Sequence, residues 1–143
     1  MAITQAMATS FKVQLLNGQH NFSSNTFKLA LYTSSATLNE NTTAYTTSNE
    51  VPSTGNYSAG GNTLTVSVTP TNSGNVAYVS FANTSWANST ITAAGALIYN
   101  NSQSNAAVCV LNFGGDKTST NGTFAINFPT ADASNAIIRL TAS

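Results

Sequence analysis

Thr63-Leu64-Thr65-Val66-Ser67-Val68 puts Leu64, Val66 and Val68 on one side and hydroxyls on the other, and Val76 to Phe81 repeats the pattern with Ala77, Val79 and Phe81. Strict apolar–polar alternation over six residues is the signature of a strand with one face on a core and one in water. Upstream, Phe27-Lys28-Leu29-Ala30-Leu31-Tyr32 alternates in the same way. Downstream, strands are expected around Thr84 to Ala87, Ala93 to Tyr99, Ala107 to Phe113, Thr123 to Phe128 and Ala136 to Thr141. The last few are apolar on both faces, as suits the centre of a sandwich. Turn chemistry punctuates them at Asn72-Ser73-Gly74-Asn75, Asn100-Asn101-Ser102, Gly114-Gly115-Asp116 and Asn121-Gly122. Seven or eight short strands so spaced predict a mainly β protein, an antiparallel β-sandwich of jelly-roll-like character.

The first segment reads differently. Met7, Phe11, Leu15 and Leu16 fall at helical spacing within Gln5 to Leu16, and Gly18 stands just beyond as a stop. A short amphipathic helix is expected over about 5–16, covering an open edge or end of the sandwich or reaching a neighbouring subunit. Between the first strand and Gly61 the pattern loosens into a long polar connection, Thr33 to Gly61, containing Pro52, Gly55 and Gly60. Connections of that length are often binding or interface elements. At 143 residues the chain is expected to form a single domain, 1–143.

Composition narrows the function. Only 6% of residues are charged, where a soluble domain usually carries about a quarter, while Asn, Ser and Thr make up roughly two-fifths. Neutral hydrogen-bonding groups dock against a neighbour without the penalty of burying ions, so the composition favours assembly over chemistry. Lys12, Lys28, Lys117 and Arg139 are scattered and balanced by Glu40, Glu50, Asp116 and Asp132. No basic stripe exists for nucleic acid, and no cationic run for an anionic membrane. Met1-Ala2-Ile3-Thr4-Gln5 lacks the basic start and apolar core of a signal peptide, so synthesis in a cytoplasm is expected and the N-x-S/T triplets are discounted as glycan acceptors.

Catalytic groups are few. His20, the sole imidazole, lies in the polar turn after the first helix and is read as a surface or interface residue, and no G-x-S-x-G elbow accompanies it. Cys109 sits in the apolar run Ala106 to Leu111 and is read as a buried, inert thiol. One His, one Cys and four carboxylates without ligand spacing predict no zinc site. A glycosidase pair from Glu40, Glu50, Asp116 and Asp132, or calcium at Asn39-Glu40-Asn41, has less support than solvated turns. Gly114 to Thr118 lacks phosphate-loop spacing and reads as a hairpin loop. No catalytic, cofactor or metal residue is therefore assigned. Trp86 and Phe81 read as core. Phe11, Leu15, Tyr45 and Tyr57 are the interface candidates, as apolar anchors set among amides and hydroxyls.

Six blocks taken in order resemble small structural proteins encoded in tailed-bacteriophage virion gene clusters. They are Phe11-Lys12-Val13 with Leu15-Leu16-Asn17-Gly18; Thr26 to Thr33; Thr42-Thr43-Ala44-Tyr45 with Asn49-Glu50-Val51; Tyr57 to Gly61; Ala94 to Tyr99; and Phe113 to Lys117. The resemblance spans nearly the whole chain and rests on the order of the blocks rather than on a functional motif. It implies a virion component, in particular a capsid decoration or cement protein, assembled in the host cytoplasm and carried on the capsid surface. It implies as partners further copies of itself and the major capsid protein or another virion protein. A trimer is suggested by the common geometry of decoration proteins and by no residue of this chain. A receptor- or glycan-binding module of a tail or head fibre is the competing reading, because polar β-sandwiches with exposed aromatic rings also suit sugars.

Overall fold

The computed structural model describes residues 2–141. Its elements in order are β1 (Ala6–Met7), α1 (Thr9–Leu16), β2 (Phe27–Tyr32), β3 (Asn62–Leu64), β4 (Val66–Ser73), β5 (Val76–Phe81), β6 (Thr84–Asn100), β7 (Ala106–Ile126) and β8 (Ile138–Thr141). They form a five-stranded sheet ordered β1-β7-β6-β2-β3 and a three-stranded sheet ordered β4-β5-β8, with every pairing antiparallel. This is the β-sandwich with a short N-terminal helix that the alternation predicts.

Aromatic rings lock the two sheets together. Phe27 of the larger sheet lies 5.8 Å from Phe81 of the smaller one and stacks at 4.5 Å on Phe22, which also meets Phe11 of α1 at 6.3 Å. Each such ring removes a large apolar area from water, and the offset and edge contacts add to that burial.

The alternating run from Thr63 to Val68 is one stretch of sequence but two strands. Leu64 pairs with Phe27 in the larger sheet, whereas Val66 pairs with Phe81 in the smaller. The chain changes sheets at Thr65, whose carbonyl accepts from the Ala82 N–H at 2.8 Å. Alternation records which face is buried, so it is preserved across the switch and does not reveal it.

Two expected breaks are absent. The segments read as Thr84–Ala87 and Ala93–Tyr99 belong to the single strand β6, and Ala107–Phe113 joins most of Thr123–Phe128 in β7. Gly114-Gly115-Asp116 is not a hairpin loop: Ala93 pairs Lys117 and Gly95 pairs Asn112, so four residues of β7 bulge opposite Ala94. Asn121-Gly122 lies in a second irregular stretch of the same ladder, with Gly122 opposite Ser89. Turn-type residues serve bulges as well as turns because both need left-handed backbone, here φ +80° at Gly114 and +46° at Asn121.

The helix begins at Thr9, not Gln5, because Ala6 and Met7 extend alongside Val110 and Cys109 as an edge strand. It ends as Gly18 predicts. The Gln19 N–H donates to the Gln14 carbonyl at 2.9 Å and the Gly18 N–H to that of Leu15 at 3.1 Å, with Gly18 at φ +74°, a Schellman closure.

The connection from Thr33 to Gly61 is ordered by backbone pairing. Where β3 stops, the Val51 N–H donates to the Leu31 carbonyl at 2.9 Å, and Ala44 bridges to Ala106 at the start of β7. Further along, the side chains of Asn56 and Thr54 donate to the carbonyls of Ala87 and Thr90 on β6. Gly61 makes the closest approach. A Cβ built there would lie 1.7 Å from the Leu29 carbonyl oxygen, and φ is +77°, so only glycine fits.

Candidate functional site

The connection brings Glu50, Tyr45 and Tyr57 against Tyr32 of β2 and Tyr99 of β6. Glu50 Oε1 accepts from the Tyr45 hydroxyl at 2.6 Å, and Oε2 accepts from the Tyr57 hydroxyl at 2.6 Å and the Gly60 N–H at 2.7 Å. The Tyr57 oxygen in turn accepts from the Leu31 N–H at 2.9 Å, and the Tyr99 hydroxyl donates to the Gly60 carbonyl at 2.7 Å. Tyr45 stacks on Tyr99 with centroids 4.7 Å apart, and the Tyr32 hydroxyl donates to the Thr46 carbonyl at 2.6 Å. Short bonds to an ionised carboxylate are about twice as strong as neutral ones. The arrangement pins residues 45–61 onto β2 and β6.

Its electrostatics suit a fastening rather than proton transfer. Burial, followed by the hydrogen bond to Glu50, raises the phenols of Tyr45 and Tyr57 above their usual range. Burial first, and the Glu50 charge second, push Tyr99 up to about 12. These hydroxyls keep their protons at neutral pH and act as fixed donors.

This geometry makes two of the interface candidates, Phe11 and Tyr57, core residues and leaves Tyr45 half-buried. Phe11 is fully buried, packed on His20 and Phe22. Tyr57 is 1% exposed and Tyr45 half-buried, both turned toward Glu50. An aromatic ring in a polar segment reads as exposed in the sequence, but here the segment carries the carboxylate that draws the ring inward. Leu15 is half-buried on the inner wall of a groove of about 310 Å³ whose other walls include Pro70, Ala77 and Leu140. The exposed apolar side chains near the helix are instead Leu16 at 90% and Val13 at 56%, with Leu140 of β8 at 44%. Nothing marks Leu16 in the sequence except that it follows Leu15 on a narrow helix, where both cannot face inward.

His20 also departs from expectation. It is buried, with Nε2 2.8 Å from Gln14 Oε1 and Nδ1 2.9 Å from Asn100 Nδ2. Asn100 Oδ1 accepts from the Ser102 N–H, which turns its amide nitrogen toward the ring. Nδ1 is therefore the acceptor, and Nε2 carries the proton donated to Gln14. Burial lowers the His20 pKa from 6.5. The ring ties α1 to β6, a role that a polar turn conceals because the partners lie 6 and 80 residues away.

Cys109 and Trp86 are core, as their strand context implies. Burial pushes the Cys109 thiol up to about 12, far from a reactive thiolate. It borders a cleft of about 360 Å³ between the two sheets, lined also by Met7, Val76, Ile137 and Arg139. Among the described residues, no group of three or more His, Cys, Asp or Glu is placed to hold a metal ion, and no helix is long and apolar enough to cross a membrane. On β7, Phe113, Phe124, Lys117, Thr118 and Thr123 border a groove of about 400 Å³ beside the four-residue bulge. No family model, curated protein or solved structure matches this chain.

Proposed function

We propose that this chain is a non-enzymatic structural protein of a tailed-bacteriophage virion, a decoration or cement protein that seats on the head shell as a homo-oligomer. The observation that carries the reading is the character of the outside: amides and hydroxyls with few charges, one of the four carboxylates, Glu50, taken up by the Tyr45–Tyr57 fastening, and exposed leucines at the end of α1 and on β8. Leu16 and Leu140 put exposed apolar area at the end of α1 and on β8, and Leu15 and Leu140 border a groove, features that suit a protein–protein contact. The ordered sequence blocks that resemble virion proteins point the same way. Docking of this kind buries few ions and so responds little to salt.

The test is binding of the purified chain to empty shells. Retention across a range of salt supports the reading, and failure to bind by a folded chain counts against it. The fibre-module alternative draws on the groove at Phe113, whose aromatic ring, hydroxyls and Lys117 ammonium suit a sugar. A location on the tail in a handful of copies would favour it.

A further inference from the structure

We infer that Asn17–Gly18 is a site of spontaneous covalent modification, at which the folded protein converts an asparagine into aspartate and isoaspartate while its other Asn–Gly pair is protected. In the reaction the Gly18 backbone nitrogen attacks Asn17 Cγ. A C–N bond forms, the Cγ–Nδ2 bond breaks, and the Gly18 amide proton leaves with Nδ2 as ammonia. Water then opens the five-membered imide. Cleavage at the side-chain carbonyl restores the main chain with an aspartate, and cleavage at the main-chain carbonyl leaves isoaspartate, with one extra methylene in the backbone. Water is the only co-reactant and no electrons change hands.

An Asn followed by Gly is the chemically favoured pair because glycine does not shield the attacking nitrogen, and the chain has two, Asn17–Gly18 and Asn121–Gly122. The fold separates them. Asn17 and Gly18 are exposed at the end of an eight-residue helix, and a Cβ at Gly18 would meet nothing within 4 Å. The turn is held by the Gly18 and Gln19 N–H bonds to Leu15 and Gln14, the last bonds of a helix end, which open more readily than bonds inside a ladder. Asn121 and Gly122 instead lie inside β7. Asn121 N–H is held by Thr90 Oγ1 at 3.0 Å and Gly122 pairs Ser89. Two residues earlier the buried Ser119 hydroxyl donates to the Ser89 carbonyl at 2.8 Å. Asn121 is itself exposed, so what restrains attack there is the β6–β7 pairing, which must open before the chain can bend into the imide.

The consequence falls on α1. A new carboxylate at the negative end of the helix dipole is unfavourable. Isoaspartate lengthens the backbone inside the Schellman turn, between Gln14 and the His20 ring that Gln14 holds. The test incubates the full chain in mildly alkaline buffer, native and in denaturant, and follows both sites by peptide mass mapping with fragmentation that separates the two products. In the native protein Asn17 should react about tenfold or more faster than Asn121, and in denaturant the two rates should converge. Trypsin should also cut at the exposed Lys12 faster in the isoaspartate fraction than in unmodified protein. Equal native rates, or faster reaction at Asn121, would overturn the inference. So would a native Asn17 rate far below its rate in denaturant, because the helix end would then be as closed as the ladder.

Discussion

Glu50 is the residue on which the connection depends. Replacing it by Ala leaves two phenolic hydroxyls and the Gly60 N–H without their acceptor, and the expected loss is about 3 kcal/mol in a urea titration. Tyr57→Phe, which strands the Leu31 N–H as well as one carboxylate lone pair, should cost about 1–2 kcal/mol. Gly61→Ala should prevent folding, since the added methyl meets the Leu29 carbonyl, while Gly18→Ala, in open space, should cost only about 1–2 kcal/mol of left-handed backbone strain. His20 sets a pH dependence. Its folded pKa lies below 6.5, so as pH falls beneath 6.5 the unfolded chain takes up the proton first and stability declines until the lowered folded pKa is reached. Above 6.5 both states are neutral at this ring and the contribution is complete. Urea titrations through that window should show the decline, and His20→Gln should flatten it. The sequence exposes the types of these residues but not their company, because Glu50, Leu31 and Tyr99 are joined only by tertiary contact.

Strand β2 is legible to the residue because its apolar run is bounded by polar turns, although both of its faces are buried where alternation predicts one in water. Strands β6 and β7 are not, since glycine and asparagine mark a bulge and a turn alike, and only the partner strand decides between them. The start of α1 departs from the helical spacing for a related reason: Met7 fits that spacing, yet it pairs with the open edge at Val110 and Cys109. Of the candidate contact residues, Leu15 borders a surface groove and Tyr45 is half-buried, while Phe11 and Tyr57 lie in the core. The resulting hierarchy can be measured by native-state hydrogen exchange. Amides of β2 and β6 around Leu29–Leu31 and Leu97–Ile98, fully buried and paired on both edges, should exchange only with global unfolding, and those of the last turn of α1 several orders faster.

At the scale of the whole molecule, the proposed docking through Leu16 and Leu140 can be separated from stability. Leu16→Ser with Leu140→Ser removes exposed apolar area, so the fold should keep its stability to within about 0.5 kcal/mol per site. If these side chains centre the contact with a shell, the same double variant should lose most of its binding to empty shells, as buried anchors of an interface do. A cryo-electron reconstruction of the particle that carries this chain tests the central claim most directly. The account predicts density for the β-sandwich repeated over the head lattice, with the end of α1 and β8 turned toward the shell. Density confined to the tail or a fibre, or a head contact made through the Phe113 groove with Leu16 and Leu140 facing solvent, would contradict it.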